Sequence, residues 1–368
     1  MRKDKVLRFL ILVFVIGAFV GLVSGLAFGG PSDAATPKAA GQSEDASSDG
    51  SADPSSDQSP ASGSPGAVTA EKAKAIGANE MGQVLVLMYH HFDSEESEWT
   101  RTPEHFREDI ALLKAEGYYP INARDLASGN IDIPAGKSPV LITFDDSSPG
   151  QYRILDDGSI DPDCAVAIMQ DAAEEGDWAP RATFSCLLDV TPKERVLFGQ
   201  PERQQEKLRN LVEWGYEISS HTVTHLNLSE ASIEEATKQL AESQATLEEL
   251  VGDGYQVTTI SIPFGEYPDD ESLIASGDHD GTSYKYTAGL ALGTTPSASP
   301  FSKGFRALHI PRVRGSDPYL GEAIQYLKDN PELRFVSDGD PTTVSAPAEL
   351  PEKLGALRSN LGRPVVRY

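Results

Sequence analysis

The chain has 368 residues, and 31 Lys and Arg stand against 56 Asp and Glu, which gives a formal net charge of −25. This length suits one large domain or two medium ones, with enough chain for a sizeable core. The acidic balance argues against nucleic acid as a partner, because binding a polyphosphate needs a basic surface. Two cysteines, Cys164 and Cys186, are too few for a cysteine-rich zinc finger or a small fold built on disulfides.

The N-terminal residues predict a membrane anchor. Residues 9–28 carry no charged side chain, and about 20 apolar residues suffice for a helix that crosses a bilayer. Residues 1–8 hold four basic side chains, which predicts a cytoplasmic N-terminus and an extracytoplasmic C-terminal part. We therefore expect a single-pass protein of the cell membrane held by an uncleaved signal anchor. The alternative is a cleaved signal peptide and a secreted protein.

A polar segment follows the predicted anchor. Residues 29–80 are rich in Ser, Asp, Ala, Gly and Pro and poor in large apolar side chains. Such a composition cannot bury enough surface to offset the entropy of ordering, so a disordered linker is predicted. Residues 81–368 remain for the folded domain.

Within residues 81–368, short apolar runs alternate with helical patterns, which predicts an α/β fold with a largely parallel sheet. Thr102 and Pro103 form a helix start, and Ser232 opens a capping box whose helix would bury Ile233 and Ala236 on one face. Seven or eight strands interleaved with helices favour a (β/α) barrel over an open sheet. The predicted strands are residues 84–89, 118–122, 140–144, 182–187, 217–220, 258–262, 284–290 and 307–313.

Two adjacent carboxylates, Asp145 and Asp146, end the apolar strand 140–144. The carboxyl ends of parallel strands form the rim where α/β proteins bind their ligands. Neighbouring residues at a strand end point in different directions, so one acid can hold a metal while the other faces a substrate. For the pair taken alone, a solvated turn is the alternative.

A pair of histidines follows the strand 217–220. His221 and His225 have the i, i+4 spacing that places two imidazoles on one face of a helical turn and suits a divalent metal. With one of the acids they make three protein ligands, and such a set leaves positions open, as in catalytic sites. A bound Zn²⁺ or similar ion would lower the pKa of its water to roughly 7, and the remaining Asp would act as general base. Two structural histidines are the alternative.

The turn Pro263-Phe264-Gly265 follows the strand 258–262, and by itself it predicts only a turn with an exposed aromatic ring. Together, the three stretches resemble the polysaccharide deacetylase family (NodB homology domain, carbohydrate esterase family 4). Residues 143–146 resemble its first motif, residues 221–225 its second and residues 263–265 part of its third. The likeness extends over about residues 82–330.

The resemblance implies a distorted (β/α) barrel that removes acetyl groups from N-acetylated sugars of a cell-envelope or extracellular polysaccharide. It implies a divalent metal, with zinc expected and cobalt, nickel or manganese as alternatives. By position, Asp145 is the general base, and Asp146, His221 and His225 are the metal ligands. A metal-bound water, deprotonated by Asp145, would attack the acetamide carbonyl, and the metal and a backbone N–H would stabilise the oxyanion.

Further residues take roles from the resemblance. His309 is the candidate general acid, although strand alternation can equally turn it into the core. Pro263, Phe264 and Gly265 are expected at the substrate. His90 is a candidate neighbour of the site, and Trp99 a candidate for stacking on a sugar ring.

The sequence also departs from the family pattern. Ser147 replaces a Gly, and Ser261 stands where the third motif begins with an Arg that pairs with the base. Arg312 or Arg314, from another strand end, is the candidate replacement. Two alternatives stay open: a catalytically weak carbohydrate-binding relative, and an O-acetyl esterase on the same fold. The sequence does not decide the oligomeric state, or whether Cys164 and Cys186 form a disulfide or two buried thiols.

Overall fold

The computed structural model describes residues 68–368. The predicted anchor, residues 9–28, and most of the predicted linker lie outside this part of the chain. Between residues 68 and 368, no helix combines the length and apolar character that a membrane crossing needs.

The folded part begins earlier than predicted, because a helix occupies Ala70–Ile76, inside the segment 29–80 assigned to the linker. The Thr69 side chain accepts a hydrogen bond from the Lys72 N–H at the start of this helix, and Gly77, at φ 66°, ends it. Both capping residues stand in the sequence, so the signal for this helix was available.

The helices are α1 (Ala70–Ile76), α2 (Pro103–Ala115), α3 (Ala123–Ser128), α4 (Ala165–Glu174), α5 (Gln204–Glu213), α6 (Ile233–Val251), α7 (Ser272–Ala275) and α8 (Tyr319–Asp329). The strands are β1 (Leu85–Tyr89), β2 (His91–Phe92), β3 (Thr100–Arg101), β4 (Tyr118–Ile121), β5 (Ser138–Phe144), β6 (Thr183–Cys186), β7 (Glu217–Ser220), β8 (Thr259–Ser261), β9 (Ser276–His279), β10 (Thr282–Lys285), β11 (Ala288–Leu292), β12 (Ile310–Arg314), β13 (Val344–Ala346) and β14 (Val365–Arg367). Short 3₁₀ helices cover Lys193–Arg195, Pro201–Arg203, Pro263–Gly265, Pro331–Leu333 and Glu352–Leu354.

Seven parallel strands close into a barrel in the order β1, β12, β11, β8, β7, β6, β5, and β5 returns to β1. Strand β4 lies beside the first half of β5, with Pro120 opposite Val140, while β6 pairs with the second half through Thr143 and Phe144. The predicted (β/α) barrel is confirmed, with seven strands in the ring.

One predicted strand is wrong, because residues 284–290 belong to two elements. β9 and β10 form an antiparallel hairpin, and β11 is the barrel strand. The hairpin turns at Asp280 and Gly281, which have φ 50° and 83°. An Asp-Gly pair with positive φ at both residues is typical of a two-residue hairpin turn, so the dipeptide was a usable signal.

The helix starts at Thr102 and Ser232 are confirmed, since their hydroxyls accept hydrogen bonds from the N–H groups of His105 and Glu235. In α6, Ala236 is buried as predicted, but Ile233 is 66% exposed. Ile233 is the first residue of the helix, which places it beyond the packed face.

Alternation along β1 and β5 divides the core. Leu87 and Ile142 belong to one apolar cluster, which includes buried residues of α2, α4, α5 and α6, while Val86 and Leu141 belong to a second, which the C-terminal residues help to form. Because side chains alternate between the two faces of a strand, the same alternation sets the direction of the residues that end β5.

Cys164 and Cys186 are both buried and free, so the disulfide alternative is not realised.

Candidate active site

The three motifs meet at the carboxyl ends of the barrel strands. Asp145 and Asp146 follow β5, and His221 follows β7. Asp146, His221 and His225 each present one ligand atom, and these atoms lie within 4.8 Å of one another. Both histidine Nε2 atoms are 3.6 Å from Asp146 Oδ1.

Left-handed backbone conformations mark each motif. The φ angle is 74° at Asp146, 42° at Ser147, 65° at Thr222, 57° at His225 and 59° at Phe264. Non-glycine residues in this region cost on the order of 1–3 kcal/mol each and concentrate at functional sites. The two histidines therefore come together in an irregular loop, and the predicted helical turn is wrong.

Arg312, from β12, contacts Asp145 inside the barrel. Its Nη1 donates to Asp145 Oδ1 at 2.8 Å, to Thr143 Oγ1 at 3.1 Å and to Ser261 Oγ at 3.2 Å. Arg312 is 1% exposed and Asp145 is 2% exposed. The small Ser261 side chain thus lies beside the Arg312 guanidinium, which takes the place of the family's Arg. Arg314, the other candidate, lies over the ring of Trp99 instead.

Burial alone would raise the pKa of Asp145. The Arg312 guanidinium, together with His221 and His90, outweighs burial and holds this pKa well below its usual range. The second oxygen, Oδ2, lies 3.9 Å from His221 Nε2. Asp145 is therefore an ionised carboxylate with one oxygen held by Arg312 and the other directed to the histidines.

The histidine rings are oriented for ligation. His221 Nδ1 lies 2.9 Å from the Ser261 carbonyl oxygen, and because a carbonyl only accepts, Nδ1 carries the proton. The unprotonated Nε2 then faces Asp146, as in metal sites where a backbone carbonyl fixes the tautomer. Burial and the neighbouring His221 lower the pKa of His225 to about 4, so this imidazole is neutral at pH 7 and can serve as a ligand.

The carboxylate of Asp146 fits a cation. Its Oδ1 is buried and has no hydrogen-bond partner among residues 68–368. Arg195 Nη2 lies 2.5 Å from this oxygen but not in line for a hydrogen bond. Two imidazole nitrogens and a carboxylate oxygen that accepts no aligned hydrogen bond are a donor set that suits zinc. The residues present therefore fit a divalent metal.

Three further residues lie around Asp145 and Asp146, and the sequence analysis predicted none of them as a metal ligand or a base. Arg195 comes from the loop after β6 and belongs to none of the motifs. His91 Nε2 lies 3.6 Å from Asp146 Oδ2. His90 lies close enough to both acids for them to oppose the effect of burial, which lowers the pKa of His90 to about 4. The position of His90 and His91 directly after β1 was the available signal, and Arg195 had none.

His309 contacts Tyr267 and Glu271. Its ring stacks on Tyr267 with centroids 3.7 Å apart, and its Nε2 is 3.0 Å from Glu271 Oε2. Within residues 68–368, no hydrogen bond or ion pair joins His309 to the two acids, to His221 or to His225. The general-acid role of His309 stays a prediction.

The third motif lines the histidines. The Phe264 ring is 56% exposed and lies 4.4 Å from the ring of His225, and Pro263 is buried. Gly265 has φ 71°, and a Cβ added there would lie 2.6 Å from Leu292 Cγ, so this position requires glycine. On the side of His90, the ring of Trp99 is 38% exposed and 4.7 Å away. Exposed aromatic surface therefore adjoins the site on two sides.

Comparison with known proteins agrees with the motifs. The sequence model described as polysaccharide deacetylase matches residues 132–277, which contain all three motifs. The putative polysaccharide deacetylase YxkH of Bacillus subtilis (strain 168) is 25% identical over 254 residues, covering 67% of this chain and 77% of that protein.

Among solved structures, the deacetylase PplD of Streptococcus pyogenes in complex with acetate is 20% identical, covers 67% of this chain and 97% of its own, and has a TM-score of 0.47. A polysaccharide deacetylase of Bacillus cereus is 20% identical, covers 66% and 69%, and has a TM-score of 0.49. The assignment depends on the match over residues 132–277 and on the motifs within it. The chain therefore contains a domain that matches the polysaccharide deacetylase family of hydrolases over residues 132–277.

Proposed function

We propose that this protein is a metal-dependent deacetylase that removes N-acetyl groups from the sugars of a cell-envelope or extracellular polysaccharide. The observation that carries the proposal is the Asp145–Arg312 pair, at 2.8 Å, beside the ligand set of Asp146, His221 and His225. Hydrolysis of an acetamide at neutral pH needs an ionised base next to an electrophilic centre. Asp145 supports the role of the base, and the ligand set would hold a metal as that centre.

Asp146, His221 and His225 would hold the metal, for which zinc is the expected ion. When bound, such an ion lowers the pKa of a water to roughly 7 and polarises a carbonyl oxygen. The Ser261 carbonyl oxygen accepts a hydrogen bond from His221 Nδ1 and so fixes the orientation of this ring.

Asp145 would take the proton of the attacking water. Arg312 occupies Oδ1, so Oδ2, the oxygen nearer to His221, is the one available to accept a proton. The N–H groups of Arg312 also tie the carboxylate to Thr143 and Ser261, which keeps it from rotating. The same contacts argue against the catalytically weak carbohydrate-binding alternative, because the cation that Ser261 lacks is supplied by Arg312.

The N-terminal sequence supports a location outside the cell, tethered to the membrane. Residues 9–28 would be the anchor, and the polar residues that follow would give the domain a random-coil reach on the order of 40 Å. Confinement near the membrane raises the effective concentration of the enzyme at an envelope polymer. The alternative is a secreted protein, released after cleavage of residues 1–28.

Acetate release from N-acetylglucosamine oligomers by the full-length protein tests the proposal. Metal-stripped protein should be inactive, and added zinc or cobalt should restore release. A parallel assay on O-acetylated glycans without N-acetyl groups separates amide from ester hydrolysis. Release from the O-acetylated substrate alone would refute the N-deacetylase proposal and establish the esterase alternative.

A further inference from the structure

Arg195 lies where two clefts meet beside the proposed metal ligands. A cleft of about 1060 Å³, lined by His91 and Ser148 among others, includes Arg195. A second cleft of about 440 Å³, lined by Thr224 and His225 among others, also includes it. Among residues 68–368, Arg195 is the one residue common to both linings, so a polymer that lies in either cleft meets this residue.

The guanidinium has donors to spare. Arginine carries five N–H donors in a planar fork, and here Nη2 lies against Asp146 Oδ1 without a well-aligned hydrogen bond. Its Nε also has no partner within the described residues, 68–368, but this nitrogen is buried, so the terminal nitrogens are the donors that a ligand can reach. The side chain is 25% exposed. Such a fork matches the paired oxygens of a carboxylate or phosphate.

The charges of the site leave room for an anion. Arg312 balances Asp145, and Arg195 balances Asp146. A divalent metal would add two positive charges to this balanced set. A deprotonated water would cancel one of them, and the remaining surplus favours a negatively charged group nearby.

Ser147 fixes the position of Arg195. The Ser147 hydroxyl donates to the Arg195 carbonyl oxygen at 2.9 Å and accepts from the Leu187 N–H at 3.1 Å. Because Ser147 directly follows the two acids, these bonds tie the loop that carries Arg195 to the acidic pair. The hydroxyl that replaces the family's glycine thus contributes to the placement of this arginine, which lowers the entropic cost of binding.

We infer that Arg195 binds a carboxylate or phosphate substituent of the polysaccharide next to the acetylated sugar, so that the substrate is an acidic polymer. This inference rests on the proposed function, since it names the substrate class of the same site. The larger cleft also holds acidic residues, including Asp161 and Asp163. Recognition therefore depends on the local placement of Arg195 and not on the overall charge of the cleft.

The test compares the affinity of two tetrasaccharides of equal length for the full-length, zinc-loaded protein. One contains only N-acetylglucosamine, and the other alternates N-acetylglucosamine with glucuronate. The Asp145→Asn substitution, present in every arm, stops turnover. We expect the acidic probe to bind about tenfold more tightly, the effect of one charge-assisted hydrogen-bonded pair, and this preference should shrink as salt is added.

Variants locate the effect. Arg195→Gln should abolish the preference without changing the affinity for the neutral probe or the zinc stoichiometry, and Arg195→Lys should retain part of it. Arg107→Gln is the matched control, because Arg107 lines the same cleft but already pairs with Asp163 at 2.9 Å. It should keep the preference of its parent.

Equal affinity for the two probes, or no binding of the acidic one, overturns the inference. Loss of zinc in Arg195→Gln also overturns it, since Arg195 would then serve only to position Asp146. Acetate release by the protein with Asp145 intact is recorded separately. A retained preference without release would refute the proposed function alone, and release without preference would refute only this inference.

Discussion

Replacing Arg312 with alanine removes the cation that faces Asp145 inside the barrel. Both side chains are almost fully buried, at 1% and 2% exposure, so water cannot replace the guanidinium. Removing one partner of a buried ion pair costs about 3–5 kcal/mol, because the other charge is left uncompensated. We expect a loss of that size in the free energy of unfolding at pH 7.

The same change affects the base. Without Arg312, the group that opposes burial most strongly is lost, so the pKa of Asp145 rises. The depressed pKa of the parent contributes stability above the pKa of the unfolded carboxyl, which is lost only as pH falls through the folded value, and the variant lacks this contribution. Because a general base has to be ionised, the acidic limb of the activity profile should move to higher pH.

Acetate release across pH, together with denaturant unfolding, measures both effects. Arg312→Lys keeps the charge and should retain part of the activity. Ser261→Arg in the Arg312→Ala background restores a cation at the family's own position and should recover activity and the acidic limb. An Arg312→Ala protein with the parent's stability and pH profile would refute the reasoning.

Two further predictions concern stability. Gly265→Ala should lower the free energy of unfolding by more than Gly136→Ala, for which we expect a loss of about 1 kcal/mol from the backbone alone. Both glycines have positive φ, 71° and 80°, but an added Cβ meets Leu292 only at Gly265. Equal losses in denaturant unfolding would contradict the contact. Burial and the nearby Asp338 raise the pKa of Glu80 to about 8. In the folded protein, Glu80 therefore keeps a proton that it releases near pH 4.5 in the unfolded chain. Stability should then fall as the pH rises from about 5 to 8. Glu80→Gln should remove this fall, and parallel stability curves for the two proteins would show that Glu80 does not titrate in this range.

Local sequence patterns predicted much of the barrel because its strands are apolar and its helices are capped. The residues of β4, β5 and β7 lay within predicted segments or overlapped them closely, and Thr102 and Ser232 fixed two helix starts. The order of strands in the ring did not follow from any of these patterns. Closure depends on the pairing of β1 with β5, whose residues are about fifty positions apart in the chain.

The site was predictable to the extent that motifs carried it. Asp145, Asp146, His221 and His225 lie in short segments of recognisable spacing. The cation missing at Ser261 was expected from Arg312 or Arg314, and Arg312 is the one that contacts Asp145. Arg195 could not be found in this way, because its place depends on the loop after β6 and on the hydroxyl of Ser147. For His309, a residue of the right type in a late motif predicted a general acid, but its direct contacts are with Tyr267 and Glu271.

In the proposed mechanism, the two adjacent acids have different roles, with Asp146 a metal ligand and Asp145 the base. Zinc stoichiometry and acetate release measured side by side in Asp145→Asn and Asp146→Asn test it most directly. We expect Asp145→Asn to bind zinc at the parent's stoichiometry and to release no acetate, while Asp146→Asn should lose both zinc binding and acetate release. Zinc binding retained in Asp146→Asn and lost in Asp145→Asn, or acetate release by Asp145→Asn, would contradict it.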